Sequence, residues 1–237
     1  MQRALPIFGV LTASATASEV NNIAVVSNPE KAMKTSFTSP FIYPRVSIID
    51  PSAQASLPEE QTVNGGIDIM AHVMERLFDG AEGVELIDDQ GYALVRNMIK
   101  LIPELRTNPE NYEARSQYAW AASLGHNGFF SCGRGGNGDF SSHKLGHSLS
   151  LLFNTPHGAS LAVMMPAWAR YLYKDNPRPF ARFAEAVFDV EDGSEEERAL
   201  EGIERLESFY RSLGASTTLR ELNVKEADIE RLAQNAA

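Results

Sequence analysis

Residues 59–80, Glu-Glu-Gln-Thr-Val-Asn-Gly-Gly-Ile-Asp-Ile-Met-Ala-His-Val-Met-Glu-Arg-Leu-Phe-Asp-Gly, decide the fold. Apolar side chains at Val63, Ile67, Met70, Ala71, Val73, Met74, Leu77 and Phe78 recur at the intervals of a helix, and Gly80 ends the run. Toward the C-terminus the same period returns over residues 88–106, at Leu94, Val95, Met98, Ile99, Leu101 and Ile102. A third helix is expected from Pro109 to Leu124, with Asn108 as its cap and Pro109 in its first turn. Residues 125–139 are rich in glycine and read as a loop. Further helices are expected near 140–153, 157–173, 178–188, 195–213 and 225–235, separated most clearly at Asn154-Thr155-Pro156 and Asp175-Asn176-Pro177. Glu195-Glu196-Glu197 opens one of them, where negative charge suits the helix dipole.

Toward the N-terminus the pattern changes. Ile23-Ala24-Val25-Val26 and Val46-Ser47-Ile48-Ile49 are short, β-branched runs bounded by turn formers, and read as strands. The predicted fold is therefore mainly α: a strand-bearing piece, residues 1–56, ahead of a helical domain, residues 57–237, of ordinary size for a single core. Two or three short strands do not make a stable sheet alone, so this piece is expected to need partners from elsewhere.

Composition narrows the function classes. The formal charge of −10 argues against nucleic acid and anionic membrane surfaces as partners. At 43% apolar the chain has material for a core, which a disordered tail lacks. One cysteine, Cys132, excludes an internal disulfide framework and a thiolate zinc cluster, and fits a reducing, cytoplasmic setting. Apolar stretches fall short of the ~18 residues a membrane span needs. The opening Met1-Gln2-Arg3-Ala4-Leu5-Pro6 lacks the apolar core of a secretory signal.

The histidines carry the chemistry. Asp68 and His72 stand four apart on one helix, so both side chains leave the same face, and His143 and His147 repeat that spacing. His157 follows a proline break and can turn back toward the face that carries His143. Such pairs also occur as surface, capping or core contacts, so each alone is weak; a carboxylate with several imidazoles suits Zn²⁺ or Fe²⁺. His126, in Gly125-His126-Asn127-Gly128, has no spaced partner and reads as a loop or packing histidine. Gly146, between the paired histidines, costs about 1 kcal/mol of helix propensity, so a close helix or ligand is expected to need its missing side chain.

The segment Gly66-Ile67-Asp68-Ile69-Met70-Ala71-His72-Val73-Met74-Glu75 resembles the Gly-x-Asp-x-x-x-His-x-x-Glu helix of the iron-containing (group III) alcohol dehydrogenases. His143-Lys144-Leu145-Gly146-His147 and Asn154-Thr155-Pro156-His157-Gly158-Ala159 resemble that family's later metal segments, and its butanol dehydrogenase and broad aldehyde reductase members are the nearest in pattern. The resemblance implies a divalent metal, Fe²⁺ or Zn²⁺, held by Asp68, His72, His143 and His157, with His147 beside the nicotinamide and active in proton movement. Leu11-Thr12-Ala13-Ser14-Ala15-Thr16-Ala17-Ser18-Glu19 is similar to the family's Thr-x-x-Gly-Thr-x-x-Glu turn, with Ala15 in place of glycine. By the same resemblance Thr12, Thr16, Val25 and Lys34 would touch NAD or NADP. Glu75 reads as a structural contact, on a face unsuited to ligation.

What the resemblance implies is hydride transfer between a nicotinamide cofactor and a small primary alcohol or aldehyde, by a protein that is a homodimer at full length. The resemblance begins inside the family's N-terminal domain, and the Gly-Gly-Gly-Ser loop that receives the cofactor pyrophosphate is expected to be absent. Asn137-Gly138 and the neighbouring glycines do not stand in for it, since no strand, glycine loop and helix follow one another there. The rival reading is a non-catalytic fragment that binds divalent metal only. A hydrolase, or a lyase on the related dehydroquinate synthase fold, is a third class; the hydrolase version wants a carboxylate base beside the histidines.

Overall fold

The computed structural model describes residues 3–136 and 138–236; Met1, Gln2, the loop residue Asn137 and Ala237 lie outside the described residues. Four strands come first: β1 Phe8–Val10, β2 Ile23–Asn28, β3 Met33–Thr38 and β4 Val46–Ile48. Eight helices follow: α1 Glu59–Leu77, α2 Glu85–Thr107, α3 Tyr112–Gly125, α4 Ser141–Phe153, α5 His157–Leu172, α6 Arg178–Phe188, α7 Glu195–Ser212 and α8 Ile229–Ala236. The mainly helical architecture is the one the periodicity predicts.

The central element is α1. Every residue from Thr62 to Leu77 is buried, because α2, α3 and α5 pack around it. A helix covered on all sides must be apolar wherever it lacks a polar partner. Ile67, Met70, Val73 and Met74 accordingly join Val95, Met98 and Ile102 of α2 and Leu161 and Met165 of α5 in one core. The α6–α7 pair extends that core through Phe180, Phe183, Ile203 and Leu206. At the start of α7 the Ser194 hydroxyl accepts from the Glu197 amide while the Glu197 carboxylate accepts from the Ser194 amide, a reciprocal cap. A second, smaller cluster of Leu149, Val224 and Leu232 seats α8 against α4.

Two expectations need correction. The cap of α3 is Asn111, whose side chain accepts from the Ala114 amide, and the helix starts at Tyr112 instead of Pro109. Asn108 instead ends α2, its amide donating to the Glu104 carbonyl at 2.8 Å, so the turn begins one helical turn later than proline placement suggests. The strand-bearing piece holds four strands where the sequence showed two clear runs, and they pair with one another only in twos. β1 pairs in parallel with β4, Phe8 opposite Val46 and Val10 opposite Ile48, while β2 and β3 form an antiparallel hairpin from Ile23 opposite Thr38 to Asn28 opposite Met33. Each sheet has two strands, and among the described residues no third strand joins either. β3 was hidden in the sequence because Lys34-Thr35-Ser36 breaks any apolar run.

Candidate functional site

α1 places Asp68, His72 and Glu75 on one stripe, at intervals of four and three residues. α4 brings His143 and His147 across from it, and His157 opens α5. Two glycines permit this approach. A Cβ on Gly146 would lie 3.1 Å from Ser160 Oγ, so α4 and α5 touch there, as the glycine between the histidines led one to expect. A Cβ on Gly158 would lie 2.1 Å from the Asn64 carbonyl oxygen, which fixes the start of α5, and with it His157, against α1 one turn before Asp68.

Three imidazoles converge on a single atom. Asp68 Oδ1 lies 3.5 Å from His143 Nε2, 3.5 Å from His157 Nε2 and 3.7 Å from His72 Nδ1. Ligand atoms of Asp68, His72 and His143 all lie within 4.8 Å of one another. Asp68 Oδ1, His72 Nδ1 and His143 Nε2 are buried and have no hydrogen-bond partner among the described residues. Buried polar atoms are ordinarily paired. A cluster of orphaned donor atoms at mutual distances of this kind has the composition and spacing that a divalent ion satisfies.

Glu75 makes a structural contact, as the sequence reading expected, but from the face that reading judged unsuited to the site. It lies fully buried on the same stripe as Asp68, seven residues on, and faces His143. His143 Nδ1 donates to Glu75 Oε2 at 2.5 Å, the His143 amide donates to Oε1 at 3.2 Å, and the Ser142 hydroxyl also donates to Oε1. With Nδ1 engaged, Nε2 is the nitrogen turned toward Asp68. The i, i+7 relation to Asp68 is the signal that could have found it.

Electrostatics follow from burial and crowding. Burial opposes the charge on Asp68, but His72, His157 and His143 outweigh it and hold its carboxyl well below the usual range. Burial pushes His72 well below its ordinary value, with His126, His143 and His157 adding to the effect against Asp68. Burial, then His143 and Lys34, lower His157 to about 4 against the opposing pull of Asp68. Burial also depresses His143, yet Glu75 and Asp68 reverse this and raise it to about 9. His147, whose ring centroid is 5.3 Å from that of His157, is lowered to about 3 by burial and then by His157, Lys34 and His143. Lys34, on β3 against α4, is lowered by burial while Asp68 raises it.

The remaining sequence candidates lie on the strand-bearing side. Thr12 and Thr16 are exposed, in a turn fastened by Ser14 Oγ donating to Gln54 Oε1 at 2.8 Å and by Ser123 Oγ donating to Glu19 Oε1 at 2.5 Å. Val25, on β2, is 47% exposed. Of the predicted residues, then, Asp68, His72, His143, His157 and His147 meet in one cluster with Lys34 beside them. Thr12, Thr16 and Val25 present surface without entering it.

A helical domain that gathers a buried carboxylate and several imidazoles, preceded by a parallel strand pair, defines a class of metal-type site on an α/β-plus-helical scaffold. Family models extend the match across the chain: "Iron-containing alcohol dehydrogenase" over residues 1–51 and "Fe-containing alcohol dehydrogenase family, C-terminal" over residues 62–237. The chain belongs to the iron-containing alcohol dehydrogenase family. It is 35% identical over 235 residues to the probable NADH-dependent butanol dehydrogenase 1 of Bacillus subtilis, covering 98% of this chain and 60% of that protein. It is 29% identical over 232 residues to the NADPH-dependent aldehyde reductase YqhD of Escherichia coli, covering 98% and 59%. Among solved structures, NADH-dependent butanol dehydrogenase A of Thermotoga maritima superposes with a TM-score of 0.96 at 40% identity, covering 99% of this chain and 58% of that one. The chain thus spans about three-fifths of the length of these relatives.

Proposed function

We propose that this chain carries the metal-binding half of a nicotinamide-dependent alcohol dehydrogenase or aldehyde reductase acting on small primary alcohols and aldehydes. The observation that carries the reading is the meeting of His72, His143 and His157 at the unpartnered, buried Oδ1 of Asp68. Asp68, His72, His143 and His157 would hold Fe²⁺ or Zn²⁺, and Thr12, Thr16, Val25 and Lys34 would contact NAD or NADP. The relatives' names include both NADH- and NADPH-dependent enzymes, which supports a nicotinamide without choosing between the two. The change from strands to buried helix supports a division of the chain at residues 56 and 57.

A divalent ion held by these residues would supply Lewis acidity toward an alcohol or aldehyde oxygen, and a bound nicotinamide would supply the hydride acceptor or donor. The protein's own part is positioning. Glu75 fixes the ring of His143 through Nδ1, and the packing of α4 on α5 fixes the distance between His143 and His157. Water is excluded from the floor of the site: the side chains of Asp68, His72 and His143 are 4, 5 and 7% exposed, while that of His157 is 24% exposed. Substrate and cofactor would therefore approach from the side of His157, His147 and Lys34. His147, neutral near pH 7, can pass a proton through its ring nitrogens without retaining it.

A second reading, a chain that binds metal without turnover, has its own support: among the described residues no strand runs through a glycine loop into a helix N-terminus, the usual seat of a dinucleotide pyrophosphate. One experiment separates the two. The chain loaded with Fe²⁺ or Zn²⁺ is assayed for butanal reduction with NADH and NADPH, alone and fused to the N-terminal portion of a butanol dehydrogenase. Metal binding with activity only in the fusion supports the half-enzyme. Robust activity of the chain alone removes the fragment reading, and failure to bind metal removes both.

A further inference from the structure

The polar contacts around His72 give a role to a histidine that the metal cluster leaves aside. His126 follows α3 directly, is 8% exposed, and lies with its ring centroid 4.0 Å from that of His72 at an interplanar angle of 27°. Its Nδ1 is 3.1 Å from Arg76 Nη2. A guanidinium only donates, so Nδ1 accepts and the ring proton resides on Nε2. Arg76 is 1% exposed and is itself fixed at several points. It donates through Nη1 to the His72 carbonyl at 2.5 Å and through Nε to Ser131 Oγ at 2.9 Å, and its guanidinium carbon sits 4.9 Å from the centroid of Phe140. The carbonyl of His126 accepts from Asn21 Nδ2 at 3.3 Å, so the loop is held at its backbone as well.

We infer that His126 is a positioning residue for His72: held edge-on by Arg76, its ring forms a flat wall that fixes the orientation in which the His72 imidazole faces Asp68. The argument is one of degrees of freedom. His143 is oriented by Glu75 through its Nδ1, but among the described residues His72 has no side-chain hydrogen-bond acceptor of that kind, and its Nδ1 is unpartnered there. An imidazole so placed turns about its ring torsion unless packing stops it. A stacked aromatic face stops it, and the Arg76 bond stops the face from sliding. Ligand orientation of this sort ordinarily governs metal affinity through residues that never touch the metal.

The inference rests on the proposed metal reading, and the test keeps the two apart. The probe is Co²⁺ with the full chain, read by its visible ligand-field spectrum and by titration, alongside the melting temperature of the metal-free protein. His126→Ala and His126→Gln, which remove the ring, are expected to weaken Co²⁺ binding about 10–100-fold and alter the spectrum, whereas His126→Phe, which keeps a flat face but gives up the bond from Arg76, is expected to lose clearly less, about 3–10-fold. The metal-free melting temperatures of His126→Phe and His126→Ala should differ far less than their affinities. The inference is overturned if His126→Ala binds as the wild type does, if His126→Phe falls as far as His126→Ala, or if affinity merely tracks metal-free stability. Absence of Co²⁺ binding by the wild type overturns the metal reading and this inference together.

Discussion

Helix α1 and the β1–β4 pair are built from the same kinds of apolar residue and end in opposite surroundings. From Thr62 to Leu77 every residue of α1 is buried, whereas Phe8, Val10, Val46 and Ile48 are 71, 63, 50 and 55% exposed. A parallel strand pair ordinarily lies covered on both faces. The helical region satisfies its apolar surface by its own packing, and it can therefore afford a cluster of orphaned polar atoms at its centre. The strand-bearing region presents apolar surface and has no comparable centre. The unpartnered buried polar atoms around Asp68 lie where packing is complete.

The largest effect that could break this contrast is at Asp68. Structural zinc in zinc-finger peptides binds with about 10–16 kcal/mol, and on that scale losing the one carboxylate of the proposed ligand set is expected to cost about 4 kcal/mol, or roughly a thousandfold in affinity. Asp68→Asn keeps the shape and removes the charge. Titration with Zn²⁺ should show that loss while the far-ultraviolet circular dichroism is unchanged. Equal affinity in wild type and variant would place the ion elsewhere.

Next in size is the core itself. Ile67, fully buried beside Asp68, joins the central cluster, and Ile67→Ala is expected to destabilise the chain by about 2–5 kcal/mol through lost contacts and a residual cavity. Urea unfolding of the metal-free chain measures it. A loss under about 1 kcal/mol would mean that α1 is not the centre of the cooperative unit.

Glu75 follows. Glu75→Gln retains one acceptor oxygen and loses the negative charge that faces His143 Nδ1, so affinity for Zn²⁺ should fall about 10–100-fold. The pH response belongs to the same pair. Glu75 and Asp68 raise His143 to about 9 despite its burial, so in the metal-free chain this imidazole is charged at neutral pH. Its stabilisation of the metal-free fold is fully present below the unfolded histidine value of about 6.5, and it is lost as pH rises through about 9. Metal must displace that proton, so binding near pH 7.5 should release about one proton per ion, and affinity should rise with pH. Calorimetry in buffers of different ionisation enthalpy counts the proton. Zero release would mean that His143 is neutral before the ion arrives.

Much of this was legible in the sequence. The period of Val63 to Phe78 announced α1, and the spacings of Asp68, His72, His143 and His157, together with the family resemblance, announced the residues that meet. What escaped was tertiary. His126 has no partner at helical spacing, and its neighbours Arg76 and His72 are some fifty residues away in sequence. Glu75 was legible as a structural contact but not as a neighbour of the cluster, although two full turns from Asp68 return it to the same stripe. β3 was missed because both faces of the hairpin are largely exposed, which leaves no alternation of apolar and polar residues to read. Asn108 and Asn111 both have the chemistry of a helix cap, and only the course of the chain through Pro109 selects the second.

The smallest expected effect lies in the strands, and it sharpens the contrast most directly. Val46→Thr and Ile48→Thr keep β-branching, so strand propensity is retained while apolar surface is removed. Because both side chains are half exposed already, each change should alter the urea unfolding free energy by no more than about 0.5 kcal/mol, several-fold less than Ile67→Ala. Both should also reduce self-association, since an apolar strand pair with free edges is a template for further pairing. Unfolding and light scattering at two protein concentrations separate these outcomes. If Ile48→Thr instead costs as much as Ile67→Ala, and the cost grows with concentration, the strands bury their apolar face between copies of the chain in solution. The difference between the two regions would then belong to the isolated chain alone.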